Sequence, residues 1–116
     1  MRPDIVWVTT SKTGKSIRLT AKIWSEKILV EHPEFCALPE YAEEIRKAIE
    51  DPEYIIKGWQ DEKLVLRWCK IAPIGPKYLC VVYREYANEG FVITTFFISR
   101  YGKLLRREVI WRKQTL

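Results

Sequence analysis

His32 is the only histidine in this chain, and it is the strongest candidate for acid–base chemistry. It stands between two carboxylates in the tetrapeptide Glu31-His32-Pro33-Glu34. An imidazole accepts and releases a proton near neutral pH, so His32 could act as a general acid or a general base. The alternative is a structural role, in which the ring caps a helix end or bonds to a neighbouring residue. Residue type alone does not decide between the two roles.

Two arginines within apolar runs are candidates for binding an anion. Arg67 and Arg84 stand in the middle of segments whose composition is typical of strands. A guanidinium in such a place needs a partner, which could be a phosphate or the carboxylate of a neighbouring strand. Lys70 and Lys77 border the same region and would extend a phosphate-binding surface. Both alternatives stay open at this point.

The cysteines indicate neither a metal site nor a disulfide framework. Cys36, Cys69 and Cys80 are odd in number and lack the paired spacing of zinc ligands. Cys69 and Cys80 fall in apolar runs, where a thiol is usually buried as a small hydrophobic side chain. We therefore predict no bound metal and no cofactor.

Charge is distributed unevenly along the chain, whose formal net charge is +5. Residues 1–30 carry +4, residues 31–53 carry −6, residues 54–99 carry +2 and residues 100–116 carry +5. This pattern predicts a basic surface that could hold a polyanion, because phosphate contacts come largely from Lys and Arg. An ordinary solvated basic surface is the alternative.

The five tryptophans raise a similar choice between packing and binding. Exposed aromatic rings beside basic groups could stack on unpaired bases. Trp59 and Trp111 have polar surroundings and are the better candidates for exposure. Trp24 and Trp68 stand in apolar surroundings and are expected in the core.

Size and composition favour one folded domain over residues 1–116. The chain has 116 residues, of which 47% are hydrophobic, and this suits a single core. No apolar run approaches the roughly 18 residues that a membrane-spanning helix needs. The N-terminus lacks the apolar stretch of a secretory signal. A cytoplasmic protein is therefore expected.

Local signals place His32 at the end of a helix. Residues 5–10 and 16–20 have strand-like patterns and flank a turn with a glycine, so they predict a β-hairpin. Thr20 is a suitable N-cap for a helix over residues 21–31. Pro33 disfavours helical backbone at the residue before it, so this helix should end near His32.

A second, acidic helix is predicted to follow. Tyr41, Ile45 and Ile49 repeat at helical spacing between Pro39 and the Asp51-Pro52 pair. The other side of this helix is rich in glutamate. The acidic helix over residues 40–51 could dock a basic protein partner.

The second half of the chain changes to the two-residue period of strands. Strands are predicted over residues 53–60, 63–71, 77–86 and 90–99, and their short connections favour an antiparallel meander. Residues 103–113 fit either a short helix or a final strand. The predicted fold is α+β: an N-terminal β-hairpin, two helices and a four-stranded antiparallel β-sheet.

Taken in order, these segments resemble the phage-associated branch of the barnase–EndoU–colicin–RelE (BECR) nuclease fold. In that branch a Trp-x-x-His-Ile element leads into Arg-His-Pro-Glu, and a second helix ends in a Thr-Ile-x-x-Pro-like element. Later strands contain Lys-Tyr-Leu-x-Val-Val and Val-x-Thr. The corresponding stretches here are residues 24–28, 31–34, 48–52, 77–82 and 92–95. The resemblance covers most of residues 5–100 and implies a single BECR-like domain.

The resemblance also implies a metal-independent cleavage of RNA. A base removes the proton of a ribose 2′-hydroxyl, which attacks the adjacent phosphate, and an acid protonates the departing 5′-oxygen. His32, Tyr78 and the Thr94/Thr95 pair match the family pattern by position. Lys27 replaces the first histidine of the pattern, and Glu31 replaces its arginine.

Two hypotheses follow from the sequence. The first is an endoribonuclease, toxin-like or phage-derived, in which His32 is the acid–base group and the other site residues bind phosphate or donate hydrogen bonds: Lys27, Arg67, Arg84, Tyr78, Thr94 and Thr95. Only one of the two threonines can face the site, since neighbouring strand residues point to opposite faces. The second is a non-catalytic module that binds RNA, an antitoxin or another protein, as the replacements Lys27 and Glu31 suggest.

Overall fold

One mixed sheet of seven strands dominates the molecule. The computed structural model describes residues 4–73, 75–87 and 89–114. Along the chain the strands are β1 (Ile5–Thr10), β2 (Ser16–Thr20), β3 (Tyr54–Lys57), β4 (Glu62–Cys69), β5 (Lys77–Glu85), β6 (Glu89–Ile98) and β7 (Val109–Arg112). In space their order is β1-β2-β6-β5-β4-β3-β7.

This sheet corrects the predicted four-stranded antiparallel arrangement. The hairpin β1–β2 forms as predicted, but it is not a separate unit, because Ser16–Arg18 of β2 pair in parallel with Glu89–Phe91 of β6. The C-terminal segment adds the seventh strand, which pairs with β3 at the other edge. Both pairings join residues far apart in sequence, so local patterns did not indicate them. The fold is still α+β.

The helix before His32 begins at the predicted residue. The Thr20 side chain accepts a hydrogen bond from the N–H of Ile23 at 3.1 Å and so caps the helix. The helix, α1, consists of an α-helical turn (Ala21–Ile23), a π-helical segment (Trp24–Ile28) and a second α-helical turn (Leu29–Glu31). A 3₁₀ turn over Pro33–Cys36 follows, as expected for a helix that stops before proline.

The second helix, α2, spans Tyr41–Glu50 and has the predicted amphipathic pattern. Tyr41, Ile45 and Ile49 are buried, together with Ala48. These side chains pack against the sheet in one continuous core. No helix among the described residues is long and apolar enough to cross a bilayer.

The two faces of the sheet are covered differently. The helix face packs against α1, α2 and Phe35, and its buried side chains include Val65, Leu79, Val81 and Val92. The opposite face, called here the outer face, buries Ile56, Leu66 and Cys80, with Leu104 and Leu105 packed on them. The chain therefore crosses the outer face between β6 and β7, through a short 3₁₀ helix at Leu104–Arg106. Residues 103–113, which fit either a short helix or a strand, thus contain one of each.

Candidate functional site

His32 lies directly after α1 at the edge of the outer face. Its N–H donates to the carbonyl of Ile28 at 2.8 Å, and its carbonyl accepts from the N–H of Phe35 at 3.1 Å. The imidazole lies beside Phe96 of β6, with 6.2 Å between ring centroids. Nδ1 is 3.8 Å from a carboxylate oxygen of Glu34, and 29% of the side chain is exposed. The ring is held on two sides and remains accessible to solvent.

Glu34 connects His32 to a small cleft. The cleft has a volume of about 290 Å³ and is lined by Glu34, Pro73, Lys77 and Phe97. Within the described residues, no carboxylate lies within ion-pairing distance of the Lys77 ammonium. Glu34 is therefore shared by the imidazole of His32, 3.8 Å away, and by the cleft that Lys77 lines. Such a set can transfer protons and bind an anion.

Lys27 is near His32 in sequence but does not contact it. It is half-buried in the π-helical segment of α1. Across the described part of the chain, no ion pair or hydrogen bond joins it to another side chain. Lys27 can add positive potential to the site, but the structure does not make it a partner of the imidazole.

Arg67 and Arg84 are neutralised by carboxylates. Arg67 donates to the Asp51 carboxylate at 3.0 Å and to the Asp51 carbonyl at 2.7 Å. Arg84 pairs with Asp61 at 2.9 Å and with Glu62 at 3.0 Å. Of the two alternatives for these arginines, the structure therefore favours the ion pair over the bound phosphate.

The position of Arg84 also removes it from the site. Phe96, beside which His32 lies, is paired with Cys80 of β5. Arg84 stands four residues further along β5, which is about 13 Å at the usual strand rise. Arg67 lies nearer to His32 along the strands. However, Val65 and Cys69, two residues before and after it in β4, belong to the core of the helix face, so Arg67 is on that face and not on the outer face. The structure brings neither arginine to His32.

Tyr78 belongs to an aromatic cluster on the outer face. Its ring meets those of Trp68 and Tyr101 edge-on, with centroids 4.9 and 4.4 Å away. Tyr54 lies next to Tyr101 at 5.7 Å. Hydrogen bonding with Tyr101, together with burial, raises the pKa of Tyr78 to about 12. The Tyr78 hydroxyl therefore stays protonated near neutral pH and can donate a hydrogen bond.

The two threonines of β6 have separate roles. Thr95 is fully buried, and its hydroxyl donates to the carbonyl of Cys80 at 2.8 Å, which makes it part of the core. The hydroxyl of Thr94 is buried and has no hydrogen-bond partner among the described residues. Thr94 shares a strand face with Phe96, two residues along. Thr94 therefore points toward the same face as the His32 site, but its hydroxyl is covered and does not open onto that site.

Basic side chains are exposed on the segment that crosses the outer face. Residues 100–107, called here the basic crossover, present four of them: Arg100, Lys103, Arg106 and Arg107. Leu104 and Leu105 point inward and anchor the segment on the sheet. A cavity of about 560 Å³ is lined by Arg100, Gly102, Lys103 and Arg106. None of these four cations has an ion pair with a carboxylate in the described residues.

Acidic side chains of α2 are largely satisfied within the protein. Arg46 contacts Glu43 at 2.5 Å and Glu50 at 2.6 Å, and Lys47 contacts Glu44 at 3.5 Å. Ion pairs of this kind within a helix reduce the negative electrostatic potential that would attract a basic partner. Docking of a basic protein to this helix stays a prediction.

The tryptophans differ from expectation at two positions, Trp68 and Trp111. Trp24 packs against the core as predicted. Trp111 was expected to be exposed, but it also packs against the core, and the Lys12 ammonium lies 5.1 Å from the centroid of its ring. Trp59 is 71% exposed. Trp68 was expected in the core, but it is 42% exposed. The apolar neighbours of Trp68 in sequence are buried, whereas Trp68 points outward at the end of its strand.

The three cysteines are free thiols, with Cys69 and Cys80 buried as predicted. No group of three or more metal-ligating side chains was found among the described residues. No protein-family model, no curated protein and no solved structure matches this chain. The resemblance to the BECR fold therefore stays a prediction from the sequence.

Proposed function

We propose that this domain binds single-stranded RNA on its outer face and cleaves it, with His32 as the acid–base group. The observation that carries the proposal is a juxtaposition on one face of the sheet. The basic crossover lies across the outer face with four cations that lack carboxylate partners within the described part of the chain, and His32 lies at the edge of the same face. RNA would supply the missing anions, and an exposed imidazole would act on the bound strand.

The chemistry needs only side chains of this site. Glu34 lies 3.8 Å from Nδ1 of His32, so Nε2 is the ring nitrogen that would act on the substrate. Nε2 would remove the proton of a ribose 2′-hydroxyl, whose oxygen then bonds to the adjacent phosphorus. The bond to the 5′-oxygen breaks, and this leaving group takes a proton from a solvent water, which the His32 imidazolium then reprotonates so that the free imidazole is restored. The products are a 2′,3′-cyclic phosphate and a 5′-hydroxyl end.

Lys77 would assist this step. An ammonium stabilises the extra negative charge that develops on the phosphate in the transition state. Lys77 lines the cleft next to Glu34. Lys27 contributes positive potential from α1. The free thiols and the RNA substrate suit the reducing cytoplasm.

Binding without cleavage is the second candidate function. The observation in its favour is that Arg67 and Arg84 are held in ion pairs away from His32. Lys27 and Glu31 also occupy the positions where the family pattern has histidine and arginine. An RNA-binding module would keep the basic crossover and lose the reaction.

Salt dependence of RNA binding tests the binding step. We would measure the affinity for a labelled single-stranded oligoribonucleotide in EDTA over a range of salt concentrations. Each phosphate contact contributes about 0.7 to the slope of log affinity against log salt. The variant Lys103→Ala/Arg106→Ala should therefore lower that slope by about 1.4.

The matched control removes a cation from the other face. Lys47 lies on α2, which packs on the helix face, so Lys47→Ala changes the charge without touching the basic crossover. We expect this variant to bind RNA as the unmodified protein does. Equal losses in both variants would mean that binding is non-specific attraction to a basic protein, and the proposed interface would be wrong.

A further inference from the structure

We propose that Trp68 and the cavity beside it form a stacking subsite for an unpaired nucleobase of the bound RNA. This inference rests on the proposed function and specifies its substrate. A base that stacks on a side chain must be unpaired, so the subsite selects single strands over duplexes.

Trp68 is a large aromatic ring presented on a rigid strand. It stands near the end of β4, with 42% of its surface exposed. Tyr78 packs edge-on against it, with 4.9 Å between centroids and 69° between ring planes. Its backbone N–H donates to the Glu53 carboxylate at 2.7 Å. The ring is thus held in place from behind while much of its surface stays in water.

A cavity of suitable size opens beside this ring. It has a volume of about 550 Å³, within the range of small-molecule sites, and is lined by Asp51, Glu53, Tyr54, Arg67, Trp68, Arg112 and Lys113. The exposed ring of Trp68 forms part of its wall. A nucleobase is flat, so its face can stack on the ring of Trp68. Its edge is polar, so it can meet the charged side chains that line the rest of the cavity.

The charges of the cavity favour a nucleotide over a neutral aromatic ligand. The Asp51 carboxylate is occupied by Arg67 at 3.0 Å and by Lys113 at 3.2 Å. The guanidinium of Arg112 lies over the ring of Tyr54, 5.4 Å from its centroid, and has no carboxylate partner among the described residues. Arg112 is therefore available for the phosphate of a nucleotide whose base stacks on Trp68.

Strand register connects this cavity to His32. Across the sheet, Arg112 pairs with Tyr54, Tyr54 with Leu66, Leu66 with Cys80, and Cys80 with Phe96. His32 lies beside Phe96, which ends this row. Trp68 pairs with Tyr78, and Tyr78 pairs with Ile98 of β6, so Trp68 is two strands, or about 10 Å, from β6. One extended RNA strand across this end of the sheet could reach both residues.

The expected contribution of the subsite is measurable. Stacking of one base on an aromatic side chain strengthens binding about 5- to 150-fold. Because stacking is not an ionic contact, its loss should leave the salt dependence of binding unchanged. These two properties separate the subsite from the basic crossover, whose loss should change the salt slope.

The test is a binding titration of the full-length chain with variants of two exposed tryptophans. The probe is a labelled 2′-O-methyl oligoribonucleotide, which has no 2′-hydroxyl to attack the phosphate and so stays intact. Trp68→Ala should weaken binding at least 5-fold with an unchanged salt slope, whereas Trp68→Phe should retain most of the affinity. Trp59→Ala is the matched control, because Trp59 is 71% exposed in the loop between β3 and β4. We expect it to bind normally.

Probe variants give a second, independent readout. An abasic residue at the position that contacts Trp68 should weaken binding to the unmodified protein and cause no further loss in Trp68→Ala. Normal binding by Trp68→Ala, or an equal loss in Trp59→Ala, would overturn the subsite while RNA binding survives. Equal affinity of the unmodified protein for single-stranded and duplex probes would also overturn it. If the unmodified protein binds no RNA, both the proposed function and the subsite fail.

Discussion

The hydroxyl of Tyr83 lies in the core with no hydrogen-bond partner in the described part of the chain, and its removal should stabilise the protein. Tyr83 stands in β5 and is fully buried. Among the described residues, no donor or acceptor reaches its hydroxyl oxygen. Folding therefore removes this group from water without replacing the hydrogen bonds that it loses. Tyr83→Phe removes the hydroxyl and keeps the ring, which belongs to the same buried cluster as Ile17 and Val92.

The size of the effect follows from two opposing contributions. An unsatisfied buried polar group costs about 1–3 kcal/mol. The substitution leaves a space the size of one oxygen atom, and its cost at about 24 cal/mol per Å³ is only a few tenths of a kcal/mol. We expect Tyr83→Phe to raise the free energy of unfolding by about 1 kcal/mol. For a domain of this size that corresponds to a rise in Tm of about 3–6 °C.

The pH dependence provides an independent signature. Burial, with a smaller contribution from Glu85, raises the pKa of Tyr83 above its ordinary value. A raised pKa in the folded state means that the unfolded chain releases this proton first as the pH rises. Stability is therefore lost from about pH 10 upward, near the ordinary pKa of tyrosine. Phenylalanine has no such proton, so the advantage of Tyr83→Phe should grow at alkaline pH.

Chemical denaturation measures both effects. We would compare the unmodified protein with Tyr83→Phe in urea at pH 7 and again above pH 10, with an unchanged m-value as the check on two-state behaviour. Tyr86→Phe is the matched control, because Tyr86 is 49% exposed. A destabilised Tyr83→Phe variant at pH 7 would mean that the hydroxyl has a partner, and the reasoning would be refuted.

Three further predictions concern the sheet and its ion pairs. Thr95→Val should lower the free energy of unfolding by about 1 kcal/mol, measured in urea, because it removes the buried hydrogen bond to Cys80. Gly90→Ala should cost about 3 kcal/mol in the same assay, since a Cβ atom would lie 2.0 Å from the Arg84 carbonyl oxygen. Burial raises the pKa of Asp51, but its hydrogen bonds outweigh this and lower it overall. The ion pairs of Asp51 should therefore contribute less than about 1 kcal/mol to the free energy of unfolding above pH 4, and this contribution should be lost as the pH falls further. Asp51→Asn should make the free energy of unfolding depend less on pH in this acidic range. Stabilities equal to those of the unmodified protein would contradict each prediction.

Local elements of the fold could be predicted because their determinants are adjacent in sequence. Thr20 and Pro33 define the two ends of α1, and the spacing of Tyr41, Ile45 and Ile49 defines α2. The pairing of β2 with β6 depends on contacts between residues more than 70 positions apart. No local period records such a pairing, and the mixed sheet was therefore missed.

The candidate site was predictable only in part for the same reason. His32 was identified from its residue type and its place at a helix end. The partners of Arg67 and Arg84 depend on which strands are neighbours, and those neighbours supply carboxylates. Trp68 was misplaced because alternation along a strand shows which residues share a face but not how far that face is covered. Whether Trp68 is exposed at the end of β4 depends on which part of the outer face the segment between β6 and β7 covers.

Cleavage of RNA by the His32 variant tests the central claim most directly. Unmodified protein, His32→Gln and the neighbouring control Glu31→Gln would be incubated with a short single-stranded RNA in EDTA. The proposal predicts products with 2′,3′-cyclic phosphate ends from the unmodified protein and from Glu31→Gln, and a loss of at least 100-fold in rate for His32→Gln. Cleavage at the full rate by His32→Gln, or binding without cleavage by the unmodified protein, would contradict it.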